Sequence, residues 1–159
     1  MFVHSAARNL LLIRNLNWCW ARRKKQLILN PEQETGNTRY IPGVCNIGLR
    51  EINRRRNGAF FSGAVTAAEI LLLSIIPVSH LWRLTLFIPA TSFAIGILQW
   101  YLKFCVGFGT KGVFNFGELG NTTRIEQKES LRKDLIKSRE MTLAGIVFGF
   151  ISTLLFYLF

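Results

Sequence analysis

Three stretches of this chain are too apolar for a small water-soluble core, and they decide what it can fold into. They cover residues 58–77, 84–103 and 141–159. Each has about 20 residues, the number a helix rising 1.5 Å per residue needs to cross roughly 30 Å of hydrocarbon. Pro77-Val78-Ser79-His80 is all that separates the first two, so they must form an antiparallel hairpin. Trp82 and Arg83 suit one membrane interface, and Trp100, Tyr101 and Lys103 suit the other. Before the third stretch lies a charged segment. Thr123-Arg124-Ile125-Glu126 fits a capping box, and Glu129 precedes Lys133 by one helical turn. These features predict a charged helix over residues 124–140 that continues directly into the third span.

The charges fix a direction. Half the residues are hydrophobic, yet the formal net charge is +11. A soluble domain does not usually combine the two, whereas apolar spans with basic flanks do. Arg50, Arg54, Arg55 and Arg56 precede the first span. Lys103, Lys111, Arg124, Lys128, Arg132, Lys133, Lys137 and Arg139 lie between the second and third. The hairpin turn has only Arg83, with His80 nearby. By the positive-inside rule the N-terminus and the 103–140 segment are cytoplasmic and the C-terminus is outside. The fold class is then an all-α membrane protein: three transmembrane helices, with a cytoplasmic amphipathic or charged helix before the third. The expected location is a cell inner (plasma) membrane whose anionic lipids meet the basic face. No nucleic-acid module accompanies the charge, so nucleic acid is not an expected partner.

Residues 1–40 read differently. The first acid is Glu32, and six Lys and Arg residues precede it. The segment reads as a basic tail on which Trp18 and Trp20 could lie at an interface, as an extension without structural role, or as a targeting segment. The last would move the protein to a mitochondrial inner membrane. Pro31, Gly36, Pro42 and Gly43 make residues 30–44 a linker. The division is residues 1–40 as tail and linker and 41–159 as the membrane domain.

Small residues mark the faces on which the spans should pack. Gly58, Ser62 and Thr66 recur every four residues, as do Ala59, Gly63 and Ala67. Ala90, Ala94, Ser92 and Gly96 mark the second span, and Gly145 with Gly149 the third. Hydrophobic collapse provides no drive in lipid, so close backbone approach at small residues takes its place. A tight three-helix bundle is expected. Another membrane protein, or a second copy, is the expected partner.

Candidate sites are few. Glu69 falls near the middle of the first span, where a carboxylate is costly, and Thr66 and Ser62 on its face could hydrogen-bond to it. Cys45 and Cys105 close the two ends of the hairpin on one side and could meet as a thiol, metal or sulfur-handling site. Gly107-Phe108-Gly109-Thr110-Lys111-Gly112 matches G-x-G-x-x-G but follows a membrane helix, not a strand, which removes the dinucleotide reading. These glycines read as an interfacial turn. Gly107, Gly109, Gly112 and Lys111, with Arg54, Arg55 and Arg56, could contact an anionic lipid or phosphate. No catalytic set and no metal-ligand spacing is present, and no cofactor is required by the sequence.

Asn46-Ile47-Gly48, the Arg54-Arg55-Arg56 patch, Gly58, Pro89, Gly96 and Cys105 together resemble a type of small bacterial inner-membrane hairpin domain. Such domains occur alone and appended to some rhodanese sulfurtransferases. The resemblance covers about 60 residues. The chain departs from it by adding Cys45, by lacking a proline after Cys105 and by continuing into a third helix. It implies a bacterial envelope protein and adds slight weight to sulfur handling. The function expected is a non-enzymatic accessory or interaction subunit of a membrane assembly. The alternatives are the thiol, metal or sulfur site at Cys45 and Cys105, and an oligomeric channel or transporter using Glu69.

Overall fold

A computed structural model describes residues 40–158. The tail, targeting and Trp18–Trp20 readings fall on residues 1–39 and lie outside the described residues. Helix α1, Leu49–Ile75, runs without a break from the arginine patch through the first apolar stretch. Glu51 sits in its first turn, where the helix dipole favours a carboxylate. It stops because Ile76 precedes a proline and takes an extended conformation, φ −86° and ψ 127°. A 3₁₀ turn, His80–Leu86, feeds directly into α2, Phe87–Leu102. Pro89 falls in the first turn of α2, where a missing N–H costs little. Lys103 ends α2 in the left-handed region at φ 54°.

The following segment is more ordered than an interfacial turn. It forms a short helix α3, Val106–Lys111, then strand β1, Val113–Phe114, paired antiparallel with β2, Thr123–Arg124. This pairing corrects the expected helix start. The backbone of Thr123 and Arg124 is committed to β1, and Ile125, itself buried, donates its N–H to the Gly112 carbonyl at 2.9 Å. The capping box therefore does not form, and the last helix α4 spans Lys128–Leu158. The linker reading also ends early. Residues 41–45 form a tight turn, with Val44 and Cys45 donating to the Ile41 carbonyl at 3.0 Å each.

The three long helices are each long and apolar enough to cross a membrane. Their most apolar windows are only 6%, 11% and 22% buried inside the chain, so lipid or a partner must cover the rest. They form a row, not the expected tight bundle. Helix α2 packs α1 on one side and α4 on the other, while α1 and α4 barely meet. The seams explain this. A methyl at Gly96 would sit 2.9 Å from the Ala59 Cβ, and one at Gly63 would sit 2.9 Å from the Phe93 ring. On the other side Gly145 lies against Ile95 and Gly149 against Thr91. Gly58, expected among the packing residues, has nothing within 4 Å of where its Cβ would be, because its face points away from α2.

At one end of the row the chain folds into a polar cap built from residues 40–55, α3, the strand pair and the first turns of α4. Its apolar centre is Ile47, Ile52 and Cys105, with Phe108 packed against them.

Candidate functional site

The cap holds most of the buried polar side chains among the described residues. Asn46 is fully buried. Its side chain accepts the Cys105 N–H at 2.7 Å and donates to the Cys105 carbonyl at 3.0 Å. The same residue's backbone carbonyl receives the Asn115 N–H at 3.0 Å, and the Asn115 carbonyl receives the Gly48 N–H at 2.7 Å. Asn115 spends its own side chain on the turn that follows, accepting from Gly117 N–H at 2.9 Å and donating to the Glu118 carbonyl at 2.8 Å. Gly48 is required here. A Cβ would lie 2.9 Å from the Phe116 backbone.

Glu51 is the buried carboxylate of α1, with a side chain 2% exposed. Arg55 reaches it at 3.4 Å and Arg54 at 3.8 Å. The Arg55 guanidinium also stands over the Phe108 ring at 5.9 Å, and its Nε is buried without a hydrogen-bond partner. Arg55 thus turns inward to Glu51, Arg54 reaches it from the exposed surface, and Arg56 stays exposed. The outer pair Arg50–Glu118, at 3.2 Å, is solvent-exposed and worth at most about 1 kcal/mol.

The second buried acid, Asp134, is not among the candidates that the sequence marks. It is fully buried on α4 and receives the Gly43 N–H at 2.5 Å and the Tyr40 hydroxyl at 3.0 Å. Burial raises its pKa above the usual aspartate value, outweighing the two hydrogen bonds that lower it. Burial, then the Asp134 carboxylate, pushes the Tyr40 phenol up in turn. Asp134 ties the chain that enters the domain to the base of α4. A signal for it did exist. Ser130, Asp134, Ser138, Met141, Gly145, Gly149 and Thr153 are the buried residues of α4, spaced by four, four, three, four, four and four. The stripe is continuous, but its first half reads as part of a solvated charged helix.

The glycine run serves packing. A Cβ at Gly109 would meet the Phe104 ring and the Ser138 hydroxyl, and Gly112 adopts φ 68° against Leu131. The Ser138 hydroxyl meets the Val106 carbonyl at 3.2 Å. Gly109 and Gly112 therefore seat α3 on α4, a Cβ at Gly107 would meet the Cys105 sulfur at ordinary contact distance, and Lys111 is exposed. Cys45 and Cys105 are each 2% exposed and flank the Asn46 clamp, but Cys105 is a free thiol and is not bonded to Cys45. Among the described residues no cluster of three or more His, Cys, Asp or Glu side chains could hold a metal.

Glu69 lies far from the cap. Its partner is the Thr85 hydroxyl. The expected bonds from Ser62 and Thr66 are not made. Each donates instead to the carbonyl four residues back, Gly58 at 3.0 Å and Ser62 at 2.8 Å, the acceptor a hydroxyl finds most readily on a helix in apolar surroundings. Glu69 is about 9 Å short of the end of α1 at 1.5 Å per residue, inside the apolar stretch 58–77. At that same end Arg83 donates to the Phe156 carbonyl at 3.3 Å, a cation closing the C-terminus of α4. Comparison with family models, with characterised proteins and with solved structures finds no match for this chain.

Proposed function

We propose that this protein is a small integral membrane protein that acts as a non-enzymatic accessory or interaction subunit of a membrane assembly. Its cap lies in the cytoplasm of a cell whose inner membrane it crosses three times, and its C-terminus lies outside. One observation carries the reading. The cap's polar side chains that could do chemistry are spent on structure: Asn46 clamps Cys105, Asn115 shapes a turn, Glu51 is neutralised by Arg54 and Arg55, and Asp134 holds Gly43 and Tyr40. What remains outward is cation and apolar surface, the equipment of a binding partner. Arg56, Lys111, Arg124, Lys128, Arg132 and Arg139 form no ion pair among the described residues and suit anionic lipid headgroups at the cap side.

The orientation is tested by fusing a reporter after Phe159. Activity outside the cytoplasm is expected, and a cytoplasmic signal would reverse the topology. The interaction role is tested by purification in mild detergent. A stoichiometric companion is expected, and a protein that is always solitary would count against the reading.

A further inference from the structure

We propose that the outer face of α1 docks a transmembrane helix that carries a lysine or arginine at the depth of Glu69. The inference rests on the accessory-subunit reading and names the chemistry of the partner. Gly58, Ser62, Val65, Glu69 and Leu72 succeed one another by steps of four, three, four and three residues. That alternation is the spacing of a seam between two packed helices. The α2 seam uses a different line of α1, through Ala59 and Gly63. A Cβ on Gly58 would meet nothing of the described chain within 4 Å, and Val65 and Leu72 are 40% and 57% exposed. At Gly58, Val65 and Leu72 the seam is therefore open, while Glu69 bonds Thr85 of the 3₁₀ turn at its edge.

Glu69 says which occupant fits. It is half-buried beside the seam, and its bonding within the described residues is a single hydroxyl, that of Thr85. That hydroxyl has one hydrogen and a second acceptor, the Trp82 carbonyl at 2.6 Å. Thr85 serves one acceptor at a time, so the two cannot both be satisfied by it. The remaining oxygen of Glu69 has no donor from the described chain, at a depth where lipid supplies none. A lysine or arginine from a neighbouring helix brings several donors and the opposite charge in one group. The chain's own cation at this end is committed elsewhere. Arg83 bonds the Phe156 carbonyl and stands over the Phe156 ring at 5.3 Å. This disfavours a second copy as the occupant. Gly58 and Ser62 leave room for the incoming backbone to approach closely at the cap end.

The test uses the full chain in lipid vesicles and a labelled polyleucine helix with one lysine, moved stepwise along its length. Association is read by energy transfer. A lysine at the matching depth should bind roughly tenfold tighter than the all-leucine helix, the size of a polar contact between membrane helices. The preference should be confined to lysine positions within about one turn. Glu69→Leu should reduce binding to the all-leucine level, and Glu69→Gln, which keeps an amide against Thr85, should lose most of the preference. Gly58→Leu should weaken binding without moving the preferred depth. Equal binding of the all-leucine helix, or an unchanged profile with Glu69→Leu, overturns the proposal. So does self-association that depends on Glu69 and displaces the lysine helix, which would assign the face to a second copy. The two readings fail separately. A natural companion that still co-purifies with Glu69→Leu sinks this docking face and leaves the accessory role, whereas a protein with no companion sinks the accessory role whatever the lysine helix does.

Discussion

The cap and the row of spans are held together by opposite means. In the cap, side-chain hydrogen bonds join residues far apart in sequence: Asn46 with Cys105 across 59 positions, and Tyr40 and Gly43 with Asp134 across 94 and 91. In the row, Ser62, Thr66, Ser74 and Ser92 each return to the carbonyl four residues back and join nothing distant. The seams there are contacts of shape, Gly96 on Ala59 and Gly149 on Thr91. On the membrane placement proposed above, the difference follows from the solvent. In lipid neither burial of apolar surface nor its composition distinguishes one helix face from another, so only close fit does. Near water a buried amide that is fully bonded specifies one arrangement, because every wrong arrangement strands a polar group. The two regions should therefore respond to different substitutions.

The largest effect should come from the cap. Asn46→Ala leaves the buried N–H and carbonyl of Cys105 unpaired. Stranding two such groups costs about 2–6 kcal/mol, a large share of a small domain's stability. Denaturant unfolding in detergent should show it, with a smaller loss for Asn46→Asp, which still accepts the Cys105 N–H. Unchanged unfolding of Asn46→Ala would mean that the cap is not a bonded core, and the contrast with the row would fall.

The next effect sharpens the contrast within the row. Gly149→Ala places a methyl against the Thr91 hydroxyl and 3.0 Å from its Cβ, so α2 and α4 must separate. Overpacking of this kind costs about 1–3 kcal/mol. Gly58→Ala meets open space and gains helix propensity, so it should be neutral or stabilising by up to roughly 1 kcal/mol. Thermal unfolding of the two variants side by side is the measurement. Equal losses would show that small residues in α1 and α4 matter for helix geometry alone and not for the seam.

What could be read beforehand divides along the same line. The three apolar lengths needed only the hydrocarbon thickness, and each became a helix long enough to cross. Gly63, Gly96, Gly145 and Gly149 are recognisable because small residues at one-turn spacing have little other purpose in lipid. The choice between Gly58 and Ala59 is not, since adjacent stripes on one helix look equally small and only the position of α2 selects one. The cap was harder. Asn46 and Asn115 carry no periodicity, and their meaning lies in partners 59 and 69 positions away, the second by a backbone bond. Thr123-Arg124-Ile125-Glu126 has the local chemistry of a helix start, yet strand pairing with Val113 and Phe114 outweighs it. Asp134 hid among exposed charges because a buried acid and a solvated one look alike until Tyr40 and Gly43 are brought to it.

The smallest expected effect probes how dry that last site is. Asp134 has an ordinary value of 3.8 in an unfolded chain and a higher one when buried in the cap. Between those values the folded state holds a proton that the unfolded state has released, so stability falls as pH rises through the window and levels off above the folded value. Lys133 packs on Gly43, and Lys137 lies one turn along, 3.9 Å from Glu140. Asp134→Asn should remove this slope while keeping an acceptor for the Gly43 N–H. Tyr40→Phe should extend the slope to higher pH, because it deletes one of the hydrogen bonds that hold the value down. Unfolding free energies of the three proteins, measured from acid to neutral pH, decide it. If the native chain and Asp134→Asn have the same slope, water reaches the carboxylate, and the cap is bonded as the row is packed, by shape and not by exclusion of solvent.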